Sequence, residues 1–259
     1  MSFGIGILAG ALGALVGLGG GVVMIPLLTG WLGFSQHQAQ GTSLLALMFT
    51  GLAGAVAYGA NRSVDWPAAA LLVLPAMLMA WVGARSCNRL PERNLRRLFS
   101  AFLIAISALM LLKPFLHPAA SGAASVGFEA GVLVVTGLVT GFLSGLFGIG
   151  GGAIVIAAMV LVLGYGQHPA QGSALVAMVP VAAVGAWCYR DFGRADAGVL
   201  KGLVPGILLG AAGGAQLAHL FPDAALRIIF AVVLAGTGLQ GLRAKVGEAS
   251  CRASGGRAG

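Results

Sequence analysis

Two stretches of this chain combine residues suited to holding an anion. Gly17-Leu18-Gly19-Gly20-Gly21 and Gly148-Ile149-Gly150-Gly151-Gly152 are backbone with almost no side chain. Glycine lets a chain turn sharply and lets a ligand come close to peptide N–H groups. An apolar run follows each stretch and reads as a helix starting near Val22 or Ala153. A helix start presents unpaired N–H groups and partial positive charge to whatever lies before it. The alternative use of glycine is close helix packing. The spacings Gly13/Gly17/Gly21, Gly137/Gly141/Gly145 and Gly206/Gly210/Gly214 are of that kind. The outer glycines are assigned to packing. Gly17, Gly19, Gly20, Gly21, Gly148, Gly150, Gly151 and Gly152 are the candidate anion-binding backbone, since packing rarely needs three glycines in a row.

A second motif follows each stretch: Gln36-His37-Gln38-Ala39-Gln40-Gly41-Thr42 and Gln167-His168-Pro169-Ala170-Gln171-Gly172-Ser173. Thr42 and Ser173 offer hydroxyls, Gln40 and Gln171 amide donors, and His37 and His168 ring N–H groups that carry charge when protonated. A desolvated oxyanion needs such donors. The same residues also cap helices and bond one helix to another, and both roles stay open here. Asp65 and Asp196 stand just before apolar runs and read as helix caps. Paired catalytic carboxylates, a Ser-His-Asp set and metal-ligand spacing are missing from the sequence, so neither an enzyme nor a metal or other cofactor is expected. Cys87, Cys188 and Cys251 are scattered and odd in number, which fits no disulfide framework.

The elements that must position these residues are membrane helices. Of 259 residues, 58% are hydrophobic and 8% charged, and the mean hydropathy is +0.96. A soluble domain carries about 25% charge. A soluble enzyme, a nucleic-acid binder and a disordered chain are therefore excluded. Low aromatic content disfavours a membrane β-barrel. Apolar runs lie at roughly 3–33, 39–60, 67–84, 95–113, 129–164, 170–189, 198–218 and 225–242. The first and fifth exceed one span and are broken by glycines. The start, Met-Ser-Phe-Gly, has no basic region and is not read as a signal peptide.

The chain repeats itself. A shift of 131 residues superposes both motifs without a gap, and 21 of 53 positions between 6 and 58 are identical to their equivalents. The organisation is a first repeat (1–113, four apolar segments), a Pro/Gly/Ser-rich linker (114–128), a second repeat (129–243, four segments) and a basic cytoplasmic tail (244–259). Stretch 85–97 has five arginines against Glu92, and the tail is also basic, whereas their equivalents in the other copy are not. Basic loops stay in the cytoplasm. The pattern predicts two copies in opposite orientations, as in many secondary transporters. Opposite orientation needs an odd number of crossings per copy. Residues 3–16 reach only about 21 Å as helix, against a hydrocarbon core about 30 Å thick. A re-entrant hairpin in the first segment satisfies the parity. Eight simple spans in parallel copies are the alternative.

Gly17 to Pro26, then Gln-Ala-Gln-Gly-Thr-Ser at 38–43, then both again near mid-chain, resemble the sulfite exporter TauE/SafE family of bacterial membrane transporters. One departure stands out: Ala157 occupies the position equivalent to Pro26. The resemblance implies a multi-pass inner-membrane carrier for sulfur-containing anions such as sulfite, sulfonates or sulfoacetate, often an exporter. Its partners would be a small anion and the lipid bilayer, not nucleic acid, and self-association is compatible. An anion channel of the same architecture and a non-transporting membrane scaffold are the alternatives.

Overall fold

The computed structural model describes residues 2–87, 92–112, 126–190 and 197–243. These form α1 (Ser2–Val16), α2 (Gly21–Trp31), α3 (Gln36–Ala60), α4 (Trp66–Cys87), α5 (Glu92–Leu112), α6 (Val126–Phe147), α7 (Gly152–Leu161), α8 (Gln167–Arg190), α9 (Ala197–Ala218) and α10 (Asp223–Arg243). No strand occurs among the described residues. The eight apolar runs become ten helices because the first and fifth break at their glycines. Helices α3, α4, α6, α8, α9 and α10 are each long and apolar enough to cross a membrane. Helices α1, α2 and α7 are shorter. The two copies thus differ in their first limb: α6 starts at Val126, well before Leu133, the equivalent of Ser2. Leucines such as Leu74 and Leu78 point outward (each 71% exposed), where acyl chains replace water as solvent.

Small residues draw the helices together. A Cβ at Gly141 would lie 2.0 Å from the Ala76 carbonyl oxygen of α4, and one at Gly214 would lie 2.2 Å from that of Ala11 in α1. So α6 packs parallel to α4, and α1 parallel to α9, at backbone contact distance. The packing reading of the outer glycines holds for these two seams. Equivalent helices of the two copies run antiparallel. Near one end of the pair, Tyr58 of α3 meets Gln171 of α8, and Leu44 lies beside Gly185 toward the other. Ser107 of α5 bonds to Ala231 of α10, while Ser100 lies against Gly241. One end of the bundle therefore gathers Asp65, Glu129 and Asp223; we call it the carboxylate end. Helices α4, α8 and α10 finish at the opposite end, where Arg85 lies over the Trp81 ring at 3.9 Å.

The first segment of each copy turns back on itself. After Val16 the chain passes through Gly17 and Gly19, and Gly20 returns to lie against Ala9 of α1. In the second copy Gly151 returns to Thr140, the equivalent of Ala9. The broken segment thus folds back as a hairpin at each glycine turn. The linker core, most of the basic 85–97 stretch, Asp196 and the tail lie outside the residues whose side chains are described.

Candidate functional site

The two glycine turns meet at the centre of the bundle. A Cβ at Gly21 would sit 3.1 Å from Ile149 Cα, and one at Gly152 would sit 2.8 Å from the Gly17 carbonyl oxygen. Gly19 and Gly150 both rest on Met178 and Leu47, which are equivalent positions of α8 and α3. Each turn also leans on the opposite copy: Gly17 on Gln171, Gly148 on Gln40.

Glycine is required at the two helix starts. Gly20 (φ 87°) and Gly151 (φ 75°) are the N-caps of α2 and α7 and are left-handed. An L side chain there costs about 1–2 kcal/mol, and neither position has room for one: a Cβ would lie 2.5 Å from the Ala9 oxygen or 2.3 Å from Thr140 Cγ2. The turns satisfy part of their own backbone. Gly19 N–H donates to the Gly13 oxygen (3.1 Å) and Gly148 N–H to the Ser144 oxygen (2.8 Å). The first N–H groups of a helix have no partner within it. Among the described residues, those of Gly21 and Val22 and of Gly152 and Ala153 meet no protein acceptor.

Buried hydroxyls surround these helix starts. Ser43 is fully buried, and its Oγ lies 3.0 Å from where a Gly21 Cβ would be. Thr140 (3% exposed) and Ser144 (0%) flank Gly151. The hydroxyl oxygens of all three lack a hydrogen-bond partner. A small, mostly apolar cavity is lined by Thr140, Gly150, Ala174 and Met178. A buried hydroxyl left unpaired costs about 1–3 kcal/mol. Three of them beside two exposed helix N-termini form a donor-rich, water-poor cradle with no carboxylate in its lining.

The other sequence candidates lie further out. Gln171 is fully buried; its Nε2 donates to the Val16 oxygen (3.2 Å) and its Oε1 accepts from the Tyr58 hydroxyl (2.8 Å). It ties α8 and α3 to the end of α1. Gln40 and Thr42 are fully buried in α3. Ser173 Oγ accepts from Asp65 N–H (2.9 Å), holding the α3–α4 loop. His168 pairs with Asp223 at the carboxylate end, away from the glycines. His37 lies in the first turn of α3, and its side chain is outside the described set. Asp65 caps α4 through Ala68 N–H (3.0 Å), as its place in the sequence suggests. It also accepts from Tyr165, whose hydroxyl contacts Glu129 as well. Burial, then the bonds to Glu129 and Asp65, push the Tyr165 hydroxyl well above its ordinary value.

Sequence reasoning passed over Ser43, Thr140 and Ser144. Their equivalents are Ala174, Ala9 and Gly13, so a comparison of the copies that looks for identity discards them. The signal was available in reverse, as polar residues present in only one copy. Met178 and Tyr58 were invisible as site neighbours because each meets a turn or a glutamine of the opposite copy.

A family model described as sulfite exporter TauE/SafE matches residues 2–241. The chain is similar to the probable membrane transporter protein YunE of Bacillus subtilis, 28% identical over 257 residues, covering 91% of this chain and 94% of that protein. It is similar to the probable membrane transporter protein YdhB of the same species, 28% identical, covering 85% and 90%. A shorter match of 110 residues, 36% identical, joins it to sulfite exporter TauE/SafE family protein 3 of Arabidopsis thaliana, covering 41% of this chain and 23% of that protein. No solved structure matches.

Proposed function

The chain belongs to the TauE/SafE family of membrane transporters, and from that premise we propose that it exports a small sulfur-containing oxyanion, sulfite or a sulfonate, across the bacterial inner membrane. The observation that carries this reading is the facing pair of helix starts, α2 and α7, ringed by three buried hydroxyls with nothing to bond. An oxyanion supplies several acceptor oxygens at once and satisfies donors from both copies. The binding groups are the N–H groups at Gly20–Val22 and Gly151–Ala153 with Ser43, Thr140 and Ser144. Gln40, Gln171, Thr42 and Ser173 hold the surrounding frame. Among the described residues no fixed cation lines these turns, which favours release as well as capture.

The two copies lie in the membrane in opposite orientations, and one rocks against the other around the central turns. Among the described residues, Arg85, Arg93, Arg96, Arg97, Arg190, Lys201 and Arg243 belong to helix segments at the end opposite the carboxylates, and Arg62 and Arg227 do not. By the positive-inside rule that end, with the C-terminus, faces the cytoplasm.

Counterflow in proteoliposomes tests the reading. Vesicles loaded with unlabelled sulfite should accumulate labelled sulfite transiently and saturably, and a sulfonate should compete. No accumulation above protein-free vesicles overturns it. Ohmic single-channel current without counterflow reassigns the protein as a channel.

A further inference from the structure

At the carboxylate end, His168 is placed unlike an ordinary capping histidine. Its Nδ1 lies 2.5 Å from Asp223 Oδ1, and its Nε2 lies 3.3 Å from the Ala218 carbonyl oxygen. Neither oxygen belongs to a group that donates in its ordinary state. A neutral imidazole has one N–H and leaves one of these contacts without a hydrogen. The pair as built therefore accommodates one further proton. It is open to water: the side chains are 21% and 51% exposed. The second oxygen of Asp223 accepts from Gln167 N–H (3.0 Å), which fixes the carboxylate against the start of α8.

The pair is also connected inward. The His219 ring lies 5.3 Å from the His168 ring, and the Tyr58 ring 4.8 Å from the His219 ring. Tyr58 donates to Gln171, and Gln171 donates to the end of α1 and packs on Gly17. A run of polar side chains thus joins water to the glycine turns. The charged and titratable groups around it are Asp223 and, one turn on, Arg227 from α10; His219 beyond α9; Tyr58 from α3; Arg62 and Asp65 from the α3–α4 loop. Tyr165 and Glu129 join through Asp65. The run is not duplicated in full: Asn88 stands at the position equivalent to His219.

We propose that His168 with Asp223 is the binding site of a coupling proton, taken up at the carboxylate end and exchanged against the anion held at the glycine turns. The proposal rests on the transport reading above. Uptake adds one proton to the pair from water. Release breaks one of its two contacts and loosens the start of α8 from either α9 or α10. Gln171 lies one helical turn on from Gln167 and packs on Gly17, so the loosening reaches the turn that binds the anion. Anion leaving and proton entering both carry positive charge inward, so an inside-negative potential drives both.

The test uses proteoliposomes of the full chain, comparing wild type, Asp223→Asn and His168→Gln. Sulfite flux driven by an imposed pH gradient is divided by sulfite counterflow, which needs no net proton movement. In both variants the ratio should fall about tenfold, within the ordinary range of linkage between two sites. A ratio unchanged in both overturns the proposal. A second measurement needs neither substrate nor a folded variant with activity: nitrogen-15 spectra of histidine-labelled wild type in lipid nanodiscs. The His168 ring signals should move across a pH series as the pair takes up its proton, and signals that stay fixed overturn the proposal. Failure of wild-type counterflow would instead sink the sulfite reading, leaving the proton site to the spectra.

Discussion

Replacing Thr140 by valine removes one hydroxyl and keeps the shape. That hydroxyl is buried and bonds to nothing in the protein. Relieving an unpaired buried hydroxyl is worth about 1–3 kcal/mol. At the low end, the ligand-free protein should melt about 2–4 °C higher, given a chain of this size. The bound state should move the other way. A hydrogen bond to a charged acceptor contributes about 1.5–3 kcal/mol, so sulfite should bind roughly 10- to 150-fold more weakly. With sulfite at about 100 times the wild-type Kd, ligand stabilises wild type by about 2.7 kcal/mol; a tenfold weaker variant gains about 1.4 kcal/mol. Melting curves in detergent, with and without sulfite, measure both quantities on one sample, and the KM for sulfite in proteoliposomes provides a check. A variant that melts lower without ligand and keeps its sulfite affinity refutes the reasoning. Thr140 would then be a packing residue.

Gly20→Ala should be more damaging than Gly151→Ala: beyond the left-handed strain of about 1–2 kcal/mol at either site, the new Cβ meets the Ala9 backbone oxygen in one and a movable Thr140 methyl in the other. Relative melting points of the two variants decide it. Tyr58→Phe leaves Gln171 Oε1 buried without its donor and should cost about 1–3 kcal/mol, read as a lower melting point. The Tyr165 hydroxyl is held above its ordinary value in the folded protein, so its contribution is complete below the unfolded value of about 10 and is lost as pH rises beyond it. Wild type should lose stability above that pH more steeply than Tyr165→Phe in melts across an alkaline series. With Cys87 and Cys188 changed to serine, Cys251 in the tail should react with a membrane-impermeant maleimide only after permeabilisation of cells. Labelling in intact cells reverses the assigned orientation.

Much of this architecture was legible because a membrane constrains composition more tightly than water does. Eight apolar runs, the two that break, and the 131-residue repeat all follow from local sequence. Helix rise and bilayer thickness point to a fold-back in the first segment. Identity between the copies begins after the first turns of α6 and gives no sign of its greater length. From sequence the second motif suits a ligand or the helix ends equally. Its residues divide in space: Gln171 lies against the Gly17 turn, Ser173 holds Asp65, and His168 faces Asp223. One helical turn separates positions that share a sequence motif but face different neighbours.

The sequence by itself determined the solvent, the helices, the duplication and the places where backbone must turn, since each depends on neighbours in the chain or on composition. Only the tertiary structure decided that the two turns meet, that Ser43, Thr140 and Ser144 crowd them without partners, and that Tyr58 bonds across 113 residues to Gln171. Those contacts join the two copies at positions where the copies differ, and no periodicity or local propensity records a pairing between segments that far apart.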